Sequence, residues 1–231
     1  MKRRVSIIIP ALNEEGNIEA TVSEVTKKMQ GRMDDYEILL FNDGSTDDTG
    51  FIMDKLALQD PHIRVTHNRL PINLGGVYKQ GVEMARFEYV MMVPGDNEAS
   101  DITPIIDLMG KNDLIIPYVT NTEVRATGRR VGSKGYTWLI NLIFSKNLKY
   151  YNGTTLLKTS DLRSITINTN SFAYQAEVLL KLLDQGKTYT EVGIQIQQPK
   201  NTISKALRCS NLFNILKTII NLVFEIKCAK N

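Results

Sequence analysis

Four times before residue 98 a short apolar run stops at a polar turn, and no other feature of this 231-residue chain limits its fold as much. Val5 to Pro10 is continuous and β-branched, the pattern of a parallel strand buried on both faces. Asn13 to Lys28 then reads as a helix, with Ile18, Val22 and Val25 at helical spacing and Glu14 and Glu15 in its first turn. The rhythm repeats through a strand at Tyr36–Phe41, a helix from Thr46 to Leu58, a strand at Ile63–His67, a helix from Gly75 to Arg86 and a strand at Tyr89–Val93. Such alternation predicts an α/β fold, a Rossmann-like and mostly parallel central sheet flanked by helices, with ligands at the carboxyl ends of the strands.

Past Asp96 the rhythm loosens. The pattern predicts helices at Ile102–Met109, Tyr136–Phe144 and Ala173–Gln185, a strand at Asp113–Pro117 and an edge strand at Thr188–Gln197. No repeat or low-complexity linker divides residues 1–207, which read as one domain with halves 1–98 and 99–207. In the tail, residues 208–231, Asn211, Asn214, Thr218, Asn221 and Glu225 fall on one stripe of an otherwise apolar helix. That pattern suits a helix packed on its own core or in a dimer, and equally one lying on an anionic membrane surface. No run reaches the ~18 apolar residues that span a bilayer.

A net charge of +3 is too small to argue for nucleic acid, but its distribution is uneven. From Arg125 to Lys149 there are six basic residues (Arg125, Arg129, Arg130, Lys134, Lys146, Lys149) and no acid; from Lys200 onward six more face only Glu225. The second half therefore offers a surface or pocket to anions. Cys209 and Cys228 are too few for a disulfide framework and read as reduced thiols of a cytoplasmic chain.

Four segments fall at predicted strand ends: Pro10-Ala11-Leu12-Asn13-Glu14, Asn42-Asp43-Gly44-Ser45 with Asp47, Asn73-Leu74-Gly75-Gly76, and Pro94-Gly95-Asp96-Asn97-Glu98. Helix capping accounts for Ser45 or Asp47 and leaves Asp43 free to grip a ligand. Gly75 and Gly76 either form a simple turn or let backbone approach a ligand before a helix N-terminus.

The order Pro10-Ala11-x-Asn13-Glu14, Asn42-Asp43-Gly44-Ser45-x-Asp47, Asn73-x-Gly75, then an Asp-bearing turn after an apolar strand, resembles the nucleotide-sugar half of family 2 glycosyltransferases with the GT-A fold. Residues 171–207 are similar to the closing segment of polyprenol- and dolichyl-phosphate sugar transferases, the subgroup that includes dolichyl-phosphate mannose synthase. Glu177, Gly186, Glu191-Val192-Gly193-Ile194, Lys200 and Ser204-Lys205 occupy that segment's places, and Arg129, Arg130 and Ser133 stand where the subgroup carries arginines and a serine. The resemblance implies a UDP- or GDP-hexose donor held by Pro10, Ala11, Asn13, Glu14, Asn42, Asp43, Gly44, Ser45, Asn73, Gly75, Asp96 and Asn97. It implies Mn²⁺ or Mg²⁺ on Asp96 and Glu98, catalytic roles for Asp96, Glu177 and Arg129, and an acceptor phosphate on Arg129, Arg130, Ser133 and Lys205. Oxygen ligands suit hard cations that neutralise a leaving diphosphate, and guanidinium geometry suits phosphate.

The chain departs from the family pattern in three places. Pro94 replaces the first acid of the usual Asp-x-Asp, Asn42 replaces an acid, and Tyr151-Asn152-Gly153-Thr154 replaces Asp followed by Ser-Gly-Phe. A sugar hydroxyl acceptor needs a positioned base, often from a late Glu-Asp pair, which is missing after Asp113. A phosphate acceptor is already ionised. These points favour a polyprenyl phosphate acceptor; the resemblance implies transfer with inversion at the cytosolic membrane face, with a homo-oligomer possible. Extension of a saccharide and silent nucleotide-sugar binding are the alternatives.

Overall fold

The computed structural model describes residues 2–96, 98, 101–197 and 209–228. β1 (Arg4–Ala11) lies inside the sheet with β2 (Asp35–Asn42) on one side and β4 (Tyr89–Met92) on the other, both parallel to it. That position explains its largely apolar, buried run. Side chains alternate between faces along a strand, so Ile8 enters one core with Leu39, Phe41, Val90 and Met92, while Val5, Ile7 and Ile9 enter the other with Ile38, Leu40 and Met91.

The sheet has seven strands in the order β3-β2-β1-β4-β6-β5-β7, with β3 at Ile63–His67, β5 at Leu114–Val119, β6 at Leu156–Lys158 and β7 at Tyr189–Ile194. β7 is an edge strand, as its sequence predicts. α1 (Ile18–Met29) and α2 (Thr49–Gln59) cover one face through Ile18, Val22, Val25 and Met53, helped by the short α4 (Thr103–Ile106). α3 (Asn73–Met84), α5 (Thr127–Phe144), α6 (Thr159–Arg163) and α7 (Tyr174–Asp184) cover the other.

Three differences from the sequence expectation have physical causes. β6 pairs antiparallel with both β4 and β5; its three residues are too few to show a period. α5 starts at Thr127 rather than Tyr136, because Gly128, Gly132, Gly135 and the basic Arg129, Arg130 and Lys134 dilute the apolar pattern of its first half. α1 starts at Ile18 rather than Asn13, because Asn13 takes a left-handed backbone (φ 58°) and bonds to the next loop instead.

The tail helix α8 (Cys209–Val223) continues into a π turn (Phe224–Cys228). Ile219 and Leu222 enter the α3–α7 core. Part of its polar stripe turns inward: Thr218 bonds Thr169, and Glu225 accepts Asn168 Nδ2 at 2.6 Å and pairs with Lys181 Nζ at 2.7 Å. Leu216, Ile220 and Phe224 are left facing outward. Among the described residues, no helix is long and apolar enough to cross a membrane.

Candidate active site

The parallel strands bring the four polar segments to one sheet edge, where their side chains first bind one another. The Asn13 N–H donates to Ser45 Oγ (3.0 Å), the Thr46 N–H to Asn13 Oδ1 (2.8 Å) and the Glu14 N–H to Thr49 Oγ1 (2.8 Å), lacing the first loop to the second. Asn42 Oδ1 accepts the Ser45 N–H and its amide meets His67 Nδ1 at 3.1 Å, so Asn42 closes its own turn. The Gly95 N–H donates to the Pro10 carbonyl, which ties the fourth loop to the first. Gly44 has φ +79°, and a Cβ there would stand 2.9 Å from Pro71 Cδ; glycine alone suits both conditions.

Asp43 is buried and not free, contrary to the sequence expectation. Its Oδ1 accepts Asn68 Nδ2 (3.0 Å) and the Ile72 N–H (2.9 Å), and Oδ2 accepts the Asn73 N–H (3.0 Å). Gly75 also differs. It lies within α3, its N–H donates to the Asn170 carbonyl, and a Cβ would stand 2.5 Å from the Thr169 carbonyl oxygen. The glycine makes room for the 169–170 backbone rather than for a ligand.

After β4, Asp96 Oδ1 accepts the Glu98 N–H at 3.0 Å. Burial raises the Asp96 carboxyl above the ordinary carboxylate range, and the nearby Glu98 charge adds to this; the Glu98 N–H and the guanidiniums of Arg129 and Arg125 oppose the rise. Glu98, expected on the metal, is instead held by arginines: Oε1 takes Arg125 Nε at 2.6 Å and Oε2 takes Arg129 Nη2 at 2.8 Å. Both oxygens thus meet guanidiniums in this arrangement. Asn97 and Lys205, expected on the donor and the acceptor phosphate, lie outside the described residues.

Among the described residues no group of three or more metal-binding side chains exists. Asp96 nevertheless fits a hard cation, since Mg²⁺ is commonly held by one or two carboxylates with substrate phosphate oxygens completing the shell. Only its Oδ1 is engaged by described residues.

Beside this loop Tyr118, Thr122, Arg125, Arg130, Ser133 and Lys149 are among the residues lining a cavity of about 160 Å³ whose lining includes no acid. Arg130 and Ser133 thus come together in its lining, whereas Arg129, expected with them, is not part of it and pairs with Glu98. Arg125 is the residue that motif reading passes over; it opens the acid-free basic stretch, which is the signal that could have found it. Its Nη1 donates to the Tyr150 hydroxyl at 3.0 Å, with the guanidinium 5.8 Å from the ring centroid.

Glu177 is not placed as a base. It is buried on α7, where Oε1 accepts the Asn168 N–H (2.8 Å) and Lys181 Nζ (2.8 Å) and Oε2 accepts the Thr169 N–H (2.9 Å). It fixes the loop that fills the space at Gly75.

A mostly parallel sheet carrying four interlocked polar loops at one edge, with an acid just after its central strands, defines a GT-A-type transferase that binds nucleotide sugars. The chain belongs to glycosyl transferase family 2, whose model matches residues 6–183. It is 25% identical over 230 residues to a polyprenol monophosphomannose synthase of Mycolicibacterium smegmatis, covering 88% of this chain and 81% of that protein. It is 28% identical over 155 residues to glycosyltransferase AglD of Haloferax volcanii, covering 63% of this chain but only 25% of that protein's length. The fold matches glucosyl-3-phosphoglycerate synthase of Mycobacterium tuberculosis, solved with Mn²⁺, UDP-glucose and phosphoglyceric acid, with a TM-score of 0.73 at 18% identity over 95% of this chain and 79% of the other.

Proposed function

We propose that this glycosyltransferase moves a hexose from a UDP- or GDP-sugar to a polyprenyl phosphate at the cytosolic face of a membrane, with inversion. One observation carries the reading: the acceptor side of the site is a basic cavity with no acid in its lining, and Glu177, the late acid to which the resemblance gives a catalytic role, is engaged by Lys181 and two backbone N–H groups. A sugar hydroxyl must lose its proton to attack; a phosphate oxygen has none to lose. Relatives named for polyprenol phosphate chemistry support the same acceptor.

In this reading the laced loops at residues 10–14, 42–45 and 73 hold the nucleotide, and Asp96 holds a divalent cation that supplies charge neutralisation of the leaving diphosphate. Arg125, Arg130, Ser133 and Lys149 orient the acceptor phosphate so that one of its oxygens meets the anomeric carbon opposite the leaving group. The carbon–oxygen bond to the diphosphate breaks as the new one forms. The outward apolar residues of α8 (Leu216, Ile220, Phe224) and of α5 (Val131, Trp138, Leu142) support contact with a membrane surface.

A second reading, extension of a saccharide through a sugar hydroxyl, draws on a cleft of about 340 Å³ lined by Asn73, Asn168, Asn170, Asn221 and Ser171. Its two acids, Glu177 and Glu225, are both paired, so the cleft lacks a ready base. Transfer of tritiated sugar from a panel of UDP- and GDP-hexoses into butanol-extractable polyprenyl phosphate, with Mn²⁺ or chelator, tests the choice. Metal-dependent label in the organic phase is expected. Label only in a soluble glycan acceptor would select the second reading, and nucleotide binding without any transfer would indicate a silent binder.

A further inference from the structure

The Glu98 carboxylate is bridged by two guanidiniums, each oxygen taking one, with Arg125 Nε at 2.6 Å and Arg129 Nη2 at 2.8 Å. Planar guanidiniums pair with carboxylates and phosphates through the same parallel N–H···O contacts, so a pocket shaped for one accepts the other. The side chains of Glu98 and Arg125 are only 9% and 11% exposed, while Arg129 is 30% exposed, which leaves the cluster an open side. A buried guanidinium with no anion is costly, so an empty anion site of this kind needs an internal counter-charge.

Two further features separate a replaceable occupant from a permanent strut. First, the Glu98 backbone is anchored independently of its carboxylate: its N–H reaches Asp96 Oδ1, and its carbonyl accepts the Gln197 N–H at 2.9 Å. The carboxylate can thus turn away without breaking either backbone bond. Second, Arg125 is held from elsewhere, and both arginines have donors in reserve. Arg125 keeps its Tyr150 hydroxyl bond, and neither Arg125 Nη2 nor Arg129 Nη1 and Nε is taken by a described residue.

We propose that the Glu98 carboxylate is an internal stand-in for phosphate on Arg125 and Arg129 in the ligand-free protein, displaced when a phosphate group enters. The site itself stands on these contacts; only the source of the phosphate, a nucleotide diphosphate or a prenyl phosphate, rests on the transferase reading. Displacement explains why an acid sits among arginines in a site for anions. Glu98 lowers the apparent affinity by the fraction of time it occupies the arginines, and removing its charge removes that tax.

Calorimetric titration of the full chain with pyrophosphate in chelator, wild type against Glu98→Gln, tests the idea. Glu98→Gln is expected to bind about tenfold more tightly or better; equal or weaker binding by the folded variant would overturn the proposal. The wild-type protein gives an independent measurement that needs no variant: with ¹³C-labelled glutamate, the Glu98 carboxyl resonance, assigned through its own side-chain and backbone connectivity, should shift on saturation with pyrophosphate. An unmoved resonance at saturation, or no pyrophosphate binding at all, overturns it as well. Repeating the titrations with UDP and with farnesyl phosphate identifies the source by which ligand gains from Glu98→Gln. Tighter binding without any transfer to polyprenyl phosphate would keep this site and reject the proposed acceptor; transfer without the gain would do the reverse.

Discussion

Asp43 Oδ2 accepts the backbone N–H of Asn73 at 3.0 Å, so the turn after β2 dictates where α3 begins. Asn73 itself has φ +65°, a left-handed backbone that asparagine tolerates better than most non-glycine residues. In Asp43→Asn, whichever way the amide turns, an N–H group faces a backbone or side-chain N–H. The cost is about 2 kcal/mol, a Tm lower by about 4–8 °C. UDP affinity should fall at least tenfold because the loops lose their common anchor. Unchanged UDP affinity in calorimetry, with the Tm lowered as expected, would show that nucleotide binding does not depend on this anchor.

Glu177→Gln separates structure from chemistry. The variant keeps one acceptor for the N–H groups of Asn168 and Thr169 and loses the charge facing Lys181, which still pairs with Glu225. We expect a loss of about 2–3 kcal/mol in denaturant unfolding, and a pH–rate profile of unchanged shape. A general base would behave otherwise, with transfer falling 10²–10⁴-fold at unchanged stability.

Much of this was legible in the chain. Val5–Pro10 and Tyr36–Phe41 announce buried parallel strands because strands covered on both faces admit little else, and the four loops follow from where those strands stop. What stayed hidden depends on partners distant in sequence. Glu98 looked like a metal ligand beside Asp96 until folding set Arg125 and Arg129 against it, and Asp43 looked free because the groups that donate to it lie 25 to 30 residues onward. β6 gives no period in three residues, and α8 has an amphipathic pattern that does not say which stripe faces the protein.

Asp96→Ala should remove metal-dependent transfer while leaving the fold intact. The carboxyl lies in a turn and makes one described contact, to the Glu98 N–H, so the structural loss is about 1 kcal/mol. The measurement is sugar transfer across a Mn²⁺ titration alongside a thermal melt. Wild-type-like turnover by the folded variant would remove Asp96 from the site.

Acid stability should depend on Asp113, which joins the start of β5 to the turn before β7. Bonds from the Thr188 hydroxyl (2.7 Å) and the Thr188 N–H (2.9 Å), then Lys158 Nζ (3.1 Å), lower its carboxyl to about 2. A group depressed in the folded state stabilises fully above its unfolded pKa, near 4, and that stabilisation is lost as pH falls from about 4 through about 2. Because the side chain is partly exposed, solvent screening limits the effect to about 1 kcal/mol. Thermal melts of wild type and Asp113→Asn should differ at pH 6 and converge toward pH 2. A constant difference across that range would assign the loss to packing rather than charge.

Trp138 is the only tryptophan in the chain and stands 65% exposed on α5, between Val131 and Leu142 on the same outward stripe. α5 packs against α8, whose Leu216, Ile220 and Phe224 also face outward. Apolar helix faces flanked by basic residues bind the headgroup region through buried area and attraction to anionic lipids. Vesicles containing phosphatidylglycerol should therefore blue-shift Trp138 emission, and Leu216→Asp with Ile220→Asp should weaken co-sedimentation about tenfold or more. The two readouts separate the helices. A shift in Trp138 that survives the α8 substitutions would place the contact on α5 alone, whereas loss of sedimentation without any Trp138 shift would place it on α8. If neither the emission nor the sedimentation of the wild-type protein responds to anionic vesicles, both faces pack against protein, and the polyprenyl acceptor would have to be delivered by another route.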